Sequence, residues 1–152
     1  MSRVRDRLVE VALRRPARRQ TYAEHLAALD KGGSALLQRM SKAAPTGQNC
    51  DQLRHIIGIE RWGQRRLATI LGDPALDDDY DGYRPAASLD WLSLRQELAQ
   101  TRRQTIALVR KIAARGISDE LTARHNTAGE LNAREWLQYL RVHSRVEALG
   151  IR

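Results

Sequence analysis

The segment NAREWLQYLRVHSRVE, residues 132–147, carries a complete helix-start signature followed by a helical stripe. Asn132 and Glu135 have the spacing of a capping box, in which each side chain satisfies a backbone N–H group of the other residue. A stripe that recurs every three or four residues then faces one side of the predicted helix: Trp136, Leu140, His143 and Glu147. The segment therefore predicts a helix running from residue 132 to the chain's end, with an inward face that turns from apolar to polar.

Two earlier segments show comparable patterns, separated by prolines, which cannot continue a helix. Thr21 and Glu24 repeat the capping-box spacing and open a first helix over about residues 21–43. A second helix starts around Asn49 and continues until the Gly72-Asp73-Pro74 sequence stops it. Both segments place apolar residues three or four positions apart, so each predicts one buried face.

A long third helix completes the set. Ser88 is a candidate N-cap, the apolar period of Leu94, Leu98 and Ile112 follows, and Gly116 marks the end. The sequence shows no strand pattern between these segments. It therefore predicts an all-α fold, most simply a four-helix bundle in which the long loop of about residues 73–87 permits a crossover between helices two and three.

Composition limits the cellular setting and the partners. The 152 residues carry a formal net charge of +8, and seven arginines fall within residues 1–19. We expect an arginine-rich arm or short helix over 1–19 and the bundle over 20–152. No stretch approaches the roughly 20 apolar residues of a membrane span, and a single cysteine, Cys50, forms no internal disulfide. These features favour a cytoplasmic protein without a membrane partner.

Three residues are candidate metal ligands. His143 and Glu147 lie one helical turn apart on the inward face of the last helix, where their side chains can converge on one divalent cation. His55, beside the apolar stripe of helix two, can supply a third ligand, and two histidines with one carboxylate leave coordination positions open. The alternative is a neutral core His143 hydrogen-bonded to Glu147, with His55 merely flanking the core. A further carboxylate, Glu60, falls on the apolar side of helix two and predicts an ion pair with an arginine.

Two stretches resemble the DinB-like (DinB/YfiT) family. Residues 52–62, QLRHIIGIERW, resemble its second-helix signature, a histidine followed five residues later by glutamate. Residues 126–143 resemble its final helix, which normally presents a His-x-x-x-His pair. The resemblance implies an up-down-down-up bundle with a divalent-metal site, commonly Ni²⁺, Zn²⁺ or Mn²⁺, held by His55 and His143. Glu147 stands where the family has its second helix-four histidine, and a carboxylate there favours Zn²⁺, Mn²⁺ or Fe²⁺.

The resemblance also implies candidate functions. Relatives include transferases and isomerases that use a low-molecular-weight thiol, which a divalent metal helps to deprotonate before it meets an electrophilic substrate. Arg54, Arg66 or Arg141 could receive carboxylates of such a thiol, or each could be a solvated helix charge. Two other functions stay open: a metal-free helical module for binding or oligomerisation, including a homodimer, and nucleic-acid binding through the basic arm. Whether the chain is an enzyme is left open.

The remaining motifs give weaker evidence of function. The acidic run Asp77 to Gly82 opens like a calcium loop, but Ser88 stands where that loop needs a bidentate glutamate, so we expect an ordinary acidic turn. His25 falls on helix one and His125 in the loop before helix four, and either could be exposed and without a role. No phosphate-binding glycine loop and no hydrolase motif is present in the sequence.

Overall fold

The computed structural model describes residues 7–152, and its fold is built on four long helices. A π-helical turn, Glu10–Arg14, and a short α-helix, Arg15–Arg18, precede them. The long helices are α1 (Tyr22–Lys42), α2 (Gly47–Ile70), α3 (Trp91–Arg115) and α4 (Ala133–Glu147). Short 3₁₀ turns follow α2 and α4, at Tyr80–Tyr83 and Ala148–Gly150. The predicted all-α class is confirmed.

The helix starts follow their capping side chains. Both predicted capping boxes form, at Thr21 before α1 and at Asn132 before α4. The cap predicted for α3 is wrong: Asp90, not Ser88, is the N-cap, and Oδ1 of Asp90 accepts a hydrogen bond from the backbone N–H of Ser93 at 2.8 Å. A carboxylate at this position also interacts favourably with the positive end of the helix dipole, which a serine hydroxyl does less well.

A small hairpin between α3 and α4 contradicts the prediction that no strand separates the helices. Strands β1 (Thr122–His125) and β2 (Gly129–Asn132) pair antiparallel, with Ala123 opposite Leu131. These two side chains are buried, and Gly129 adopts φ +80° at the start of β2, directly after the turn. Each strand has four residues, too few for an alternating pattern to stand out from the sequence.

The helix directions are those of an up-down-down-up bundle. Arg61 of α2 contacts Glu97 and Thr101 of α3, and Gln64, further along α2, contacts Thr101 and Thr105, so these neighbours run parallel. Parallel neighbours require the long connection over residues 71–90 to return along the bundle, as predicted for the crossover. Helices α1 and α2 are joined by a short loop and run in opposite directions.

Two apolar clusters form the core, on either side of a polar layer. The first, beside the hairpin, centres on Trp62 and Trp136, and the second, near the ends of α1 and α4, on Met40 and Leu53. Between them lies the predicted ion pair of Glu60, whose partner is Arg102. The exposed fractions of these two residues are 2% and 5%, so the pair is shielded from water.

Hydrogen bonds satisfy this buried pair on most sides. Nε and Nη2 of Arg102 donate to the two carboxylate oxygens of Glu60 at 2.7 and 2.9 Å. Nη1 of Arg102 donates to the carbonyl of Leu29 at 2.7 Å, and the hydroxyl of Thr105 donates to Glu60 at 2.7 Å. Gly33 admits the arginine stem, since a Cβ there would lie 2.9 Å from Cγ of Arg102. The pair thus links α1, α2 and α3.

The N-terminal turns pack beside α4. Arg18 lies 3.4 Å from the carboxylate of Glu135 and 3.9 Å from that of Glu10. The amide of Gln138 on α4 contacts the carbonyl of Ala12 at 3.5 Å. Residues 1–6 of the predicted arm lie outside the described residues. Within residues 7–152, every helix is too short or too polar to cross a bilayer.

Candidate metal centre

The ligand candidates lie on α2 and α4, which pass each other closely and in opposite directions. Gly63 of α2 faces Leu140 of α4, and a Cβ on Gly63 would lie 2.6 Å from the nearest Leu140 carbon. About three turns back along α2 and two turns further along α4, the amide of Gln52 reaches Glu147 near the end of α4. Because the helices are antiparallel, His55 on α2 comes to lie between these two contacts and opposite the last turns of α4.

The structure brings His55, His143 and Glu147 together. One ligand atom from each lies within 4.8 Å of the other two. Nε2 of His143 lies 3.8 Å from Oε1 of Glu147, and the two imidazole centroids are 5.1 Å apart. All three side chains are half-buried. Ligand atoms about 2.0–2.1 Å from a tetrahedral Zn²⁺ are about 3.4 Å apart, so the separations between these atoms need to shorten by up to about 1.4 Å to hold an ion.

Both histidines are neutral at physiological pH. Burial, reinforced by the neighbouring His55, lowers the pKa of His143 from 6.5 to about 4, although Glu147 acts in the opposite direction. Burial also lowers the pKa of His55, and Arg84 adds to the effect, while Glu147 and Asp81 oppose it. Neutral imidazole is the form that donates a lone pair to a metal, and Glu147 supplies a carboxylate. The donor chemistry therefore fits a divalent cation.

Gln52 and Arg84 hold two of these side chains. Nε2 of Gln52 donates to Oε2 of Glu147 at 2.5 Å and approaches its carbonyl oxygen at 3.2 Å. Nη2 of Arg84 lies 3.4 Å from Nδ1 of His55, while its Nε pairs with Asp81 at 2.9 Å. A metal-bound histidine usually donates its second N–H to an acceptor, and an arginine cannot accept. Metal binding through Nε2 of His55 therefore requires the Arg84 guanidinium to withdraw.

Aromatic rings form one wall beside the ligands. The edge of Tyr80 meets His55 with ring centroids 5.2 Å apart, and Tyr139 lies 5.7 Å from His143. Burial raises the pKa of Tyr139 to about 12, with Tyr80 and Glu147 contributing, so its hydroxyl stays protonated. A ligand entering beside the histidines thus meets an uncharged aromatic surface.

The crossover segment that carries Tyr80 is fixed to α2 through Asp78. Oδ1 of Asp78 lies 2.7 Å from Nη2 of Arg66 and accepts from Nε1 of Trp62 at 3.3 Å, while Oδ2 accepts from the hydroxyl of Tyr83 at 2.5 Å. Partial burial alone would raise the pKa of Asp78, but the bonds from Tyr83 and Arg66 leave it below its ordinary value. The acidic run is thus an internally bonded turn.

The three arginines considered as thiol contacts lie in different surroundings. Arg66 is buried, with Asp78 and the carbonyl of Arg124 as partners, so it is neither a solvated charge nor free for a ligand. Arg54 donates to the carbonyl of Pro85 at 3.0 Å. Arg141 donates to Gln138 on its own helix. The cation nearest to the candidate ligands in these contacts is instead Arg84.

The expectation for His25 and His125 is wrong, because both are buried. Nε2 of His25 lies 3.2 Å from the carbonyl of Ala17, an arrangement that joins α1 to the short helix before it. Nδ1 of His125 accepts from the backbone N–H groups of Thr127 and Ala128 at 3.1 and 3.0 Å, inside the hairpin turn. Both imidazoles have structural roles.

Sequence reasoning missed four residues around the centre. Gln52 carried a usable signal, since it lies three positions before His55 and therefore on the same helical face. Tyr139 lies four positions before His143, which is the same kind of signal. Tyr80 and Arg84 belong to the crossover, where no periodic pattern predicts which side chain turns inward.

Comparison with known families agrees with this architecture. The family model described as the DinB superfamily matches residues 14–146, nearly the whole chain. Searches of curated proteins and of solved structures return no significant match. The matched range contains His55 and His143 and ends one residue before Glu147.

Proposed function

Because the chain belongs to the DinB superfamily, we propose that it is a metal-dependent protein in which His55, His143 and Glu147 bind one divalent cation. The observation that carries the proposal is the convergence of three donor atoms within 4.8 Å, from two helices that are far apart in sequence. Zn²⁺ is the ion we expect first, because two imidazoles and one carboxylate with an open position are a common catalytic zinc set. Mn²⁺, Fe²⁺ and Ni²⁺ are the alternatives.

The proposed reaction class is transfer or isomerisation dependent on a low-molecular-weight thiol. A bound divalent cation supplies a lower pKa for a coordinated thiol, and so a thiolate at neutral pH. In an S-transfer the sulfur forms a bond to an electrophilic carbon, the bond to the leaving group breaks with its electron pair, and the thiol proton passes to solvent.

The chain's own residues would bind and orient the reactants. Gln52 holds Glu147 in one orientation through its 2.5 Å hydrogen bond. Tyr80 and Tyr139 offer aromatic faces against which an apolar substrate can pack. Arg84, once withdrawn from His55, is the cation best placed to receive a carboxylate of the thiol.

Metal binding is tested first. Protein stripped with chelator is titrated with Zn²⁺, Mn²⁺, Fe²⁺ and Ni²⁺ by calorimetry, and we expect one ion per chain. His143→Ala and Glu147→Gln should each weaken metal binding by more than about 100-fold. Loss of a residue that only hydrogen-bonds to a ligand costs at most about that much, so a larger loss indicates a direct ligand. Glu120→Gln, the same chemical change on an exposed turn residue, is the matched control. Absence of binding by the wild type, or equal losses in the control, would refute the proposal.

Thiol binding is tested on the Co²⁺-loaded protein. Ligation of a thiolate to Co²⁺ gives a charge-transfer absorption that an alcohol or a thioether of the same shape does not produce. We expect this band on addition of bacillithiol, mycothiol or another small thiol, and no band in His143→Ala. If the metal-loaded protein shows no such band with any of these thiols, the proposed metal site stands and the proposed thiol chemistry is refuted.

A metal-free binding or oligomerisation module is the second candidate, favoured by the approach of Arg84 to Nδ1 of His55. In that case the double change of His143 and Glu147 to leucine should leave stability unchanged or raise it, because packed apolar groups often replace a buried polar pair without loss. Unfolding in urea measures this. For the third candidate, nucleic-acid binding through the basic arm, Glu10 offsets part of the arm's positive charge, since it lies 3.8 Å from Arg15 and 3.9 Å from Arg18.

A further inference from the structure

A cleft between α1 and α4 lies on the side of α4 away from the candidate metal centre. Its volume is about 600 Å³, the size of sites that hold small organic molecules. Helix α4 separates the two sites, since Ser144 and Ala148 face the cleft whereas His143 and Glu147 face α2. The cleft is therefore a distinct concavity, and neither the metal nor the thiol proposal uses it.

Cationic side chains surround the cleft, and none of the described residues that line it is acidic. Arg102, at the bottom, is neutralised by Glu60. The remaining four make no ion pair with any described carboxylate: Lys31, Arg39, Arg141 and Arg145. Their positive charge is therefore left without a counterion from this part of the chain.

The hydrogen bonds of these cations lead only to neutral groups. Nη2 of Arg39 donates to the carbonyl of Ile151 at 2.9 Å, and Nη2 of Arg141 donates to the side-chain oxygen of Gln138 at 2.6 Å. Arg141 and Arg145 lie one turn apart on α4, a spacing at which like charges destabilise a helix. Partial burial and then Arg145 lower the pKa of Arg141, as expected for neighbouring cations. An anion between them would remove this repulsion.

Apolar side chains make up much of the remaining lining of the cleft. Small side chains on α1, Ala28 and Ala35, leave room between the helices, and Leu36 and Ala148 also line the cleft. Leu149 stands at the edge with 67% of its surface exposed, the largest exposed fraction among the big apolar side chains described. An occupant with an apolar body would cover this leucine, whereas a free phosphate would not.

The geometry points to this cleft as a binding site for a small amphipathic anion, a carboxylate on an apolar chain. The anionic head lies among Lys31, Arg141 and Arg145, and the chain lies over the alanines towards Leu149. A second copy of the chain fits less well, because two such cationic faces would repel each other. The site is independent of the metal centre and does not require the proposed function.

The test uses octanoate as the probe, with 1-octanol as the uncharged match, titrated into metal-free protein by calorimetry. We expect octanoate to bind and 1-octanol to bind at least about tenfold more weakly, since charge-assisted contacts provide the difference. Amide shift changes in a ¹⁵N spectrum should map to Gly32, Ala35 and Ser144. Binding in His143→Ala should be unchanged, which separates this site from the metal centre.

Two double variants that each remove two positive charges test where octanoate binds. Lys31→Gln/Arg145→Gln should weaken octanoate binding at least about tenfold, whereas Arg103→Gln/Arg110→Gln, which removes two exposed cations of α3, should change it less than about twofold. Ala35→Phe, which fills the cleft, should abolish binding without loss of the folded spectrum. Equal affinity for octanoate and 1-octanol, equal losses in both pairs, or no binding would overturn the proposal. So would a dimer, seen by sedimentation, that Ala35→Phe dissociates, because the occupant would then be a second copy.

Discussion

Replacing Gly63 by alanine tests whether the close approach of α2 and α4 positions the candidate centre. A Cβ at this position would lie 2.6, 2.9 and 3.1 Å from three carbons of Leu140, where ordinary contacts are 3.4–4 Å. Leu140 is 2% exposed and cannot turn away freely. Overpacking of this size costs about 1–3 kcal/mol, and the better helix propensity of alanine returns about 1 kcal/mol.

Gly32→Ala, in the interior of α1, is the matched control because its added Cβ would meet only Nη1 of Arg102, at an ordinary contact distance of 3.9 Å, and it gains the same helix propensity. The free energy of unfolding in urea should therefore be about 1–3 kcal/mol lower for Gly63→Ala than for Gly32→Ala. The clash pushes α4 away from α2, so Zn²⁺ affinity measured by calorimetry should also fall, by about tenfold or more. In a Leu140→Ala background, Gly63→Ala should cost nothing further. Equal stability and equal metal affinity for the two glycine variants would refute the reasoning.

Three further predictions concern the polar layer and the protonation of the centre. Glu60→Gln leaves the buried charge of Arg102 without its carboxylate and should cost about 3–5 kcal/mol of unfolding free energy; a loss below about 1 kcal/mol in urea titrations would contradict the structural role of the pair. Because the pKa of His143 is about 4 in the folded chain and near 6.5 when unfolded, the unfolded chain binds more protons between these values. Metal-free protein should therefore lose up to about 3 kcal/mol as the pH falls from 6.5 to 4, and His143→Gln should remove that part of the slope. Arg84→Gln gives the Nδ1–H of a metal-bound His55 an acceptor and should strengthen Zn²⁺ binding by about threefold or more, whereas unchanged or weaker binding would show that Arg84 does not oppose the metal.

Local signals in the sequence predicted the helices well. The capping boxes at Thr21 and Asn132 form because each depends on residues only three positions apart. The cap of α3 was predicted at Ser88 and lies at Asp90, because serine and aspartate both cap helices and only the backbone path decides which residue does so. The hairpin was missed because its stability comes from burying Ala123 and Leu131 against the helices, which is a tertiary effect.

The candidate metal centre could likewise be predicted only in part. The pairing of His143 with Glu147 follows from one turn of helix, but the approach of His55 depends on the antiparallel course of α2 and α4, which the family resemblance implied. His25 could have been placed correctly, because Leu29, Gly33, Leu36 and Met40 continue a buried stripe from position 25. Arg84 and Tyr80 could not, because a non-helical segment has no period that relates sequence position to direction.

The attachment of the crossover at Asp78 separates two properties of the chain. The residues proposed to coordinate the ion project from helices, whereas Tyr80 and Arg84, which border the entrance, arrive on a connecting segment secured independently of them. Replacement of that connector by another of similar length that keeps Arg84 can therefore alter which molecules reach the candidate centre, while affinity for the cation stays largely the same. Substrate selectivity could thus change through exchange of the connecting segment alone, without changes to the helices that carry the proposed ligands.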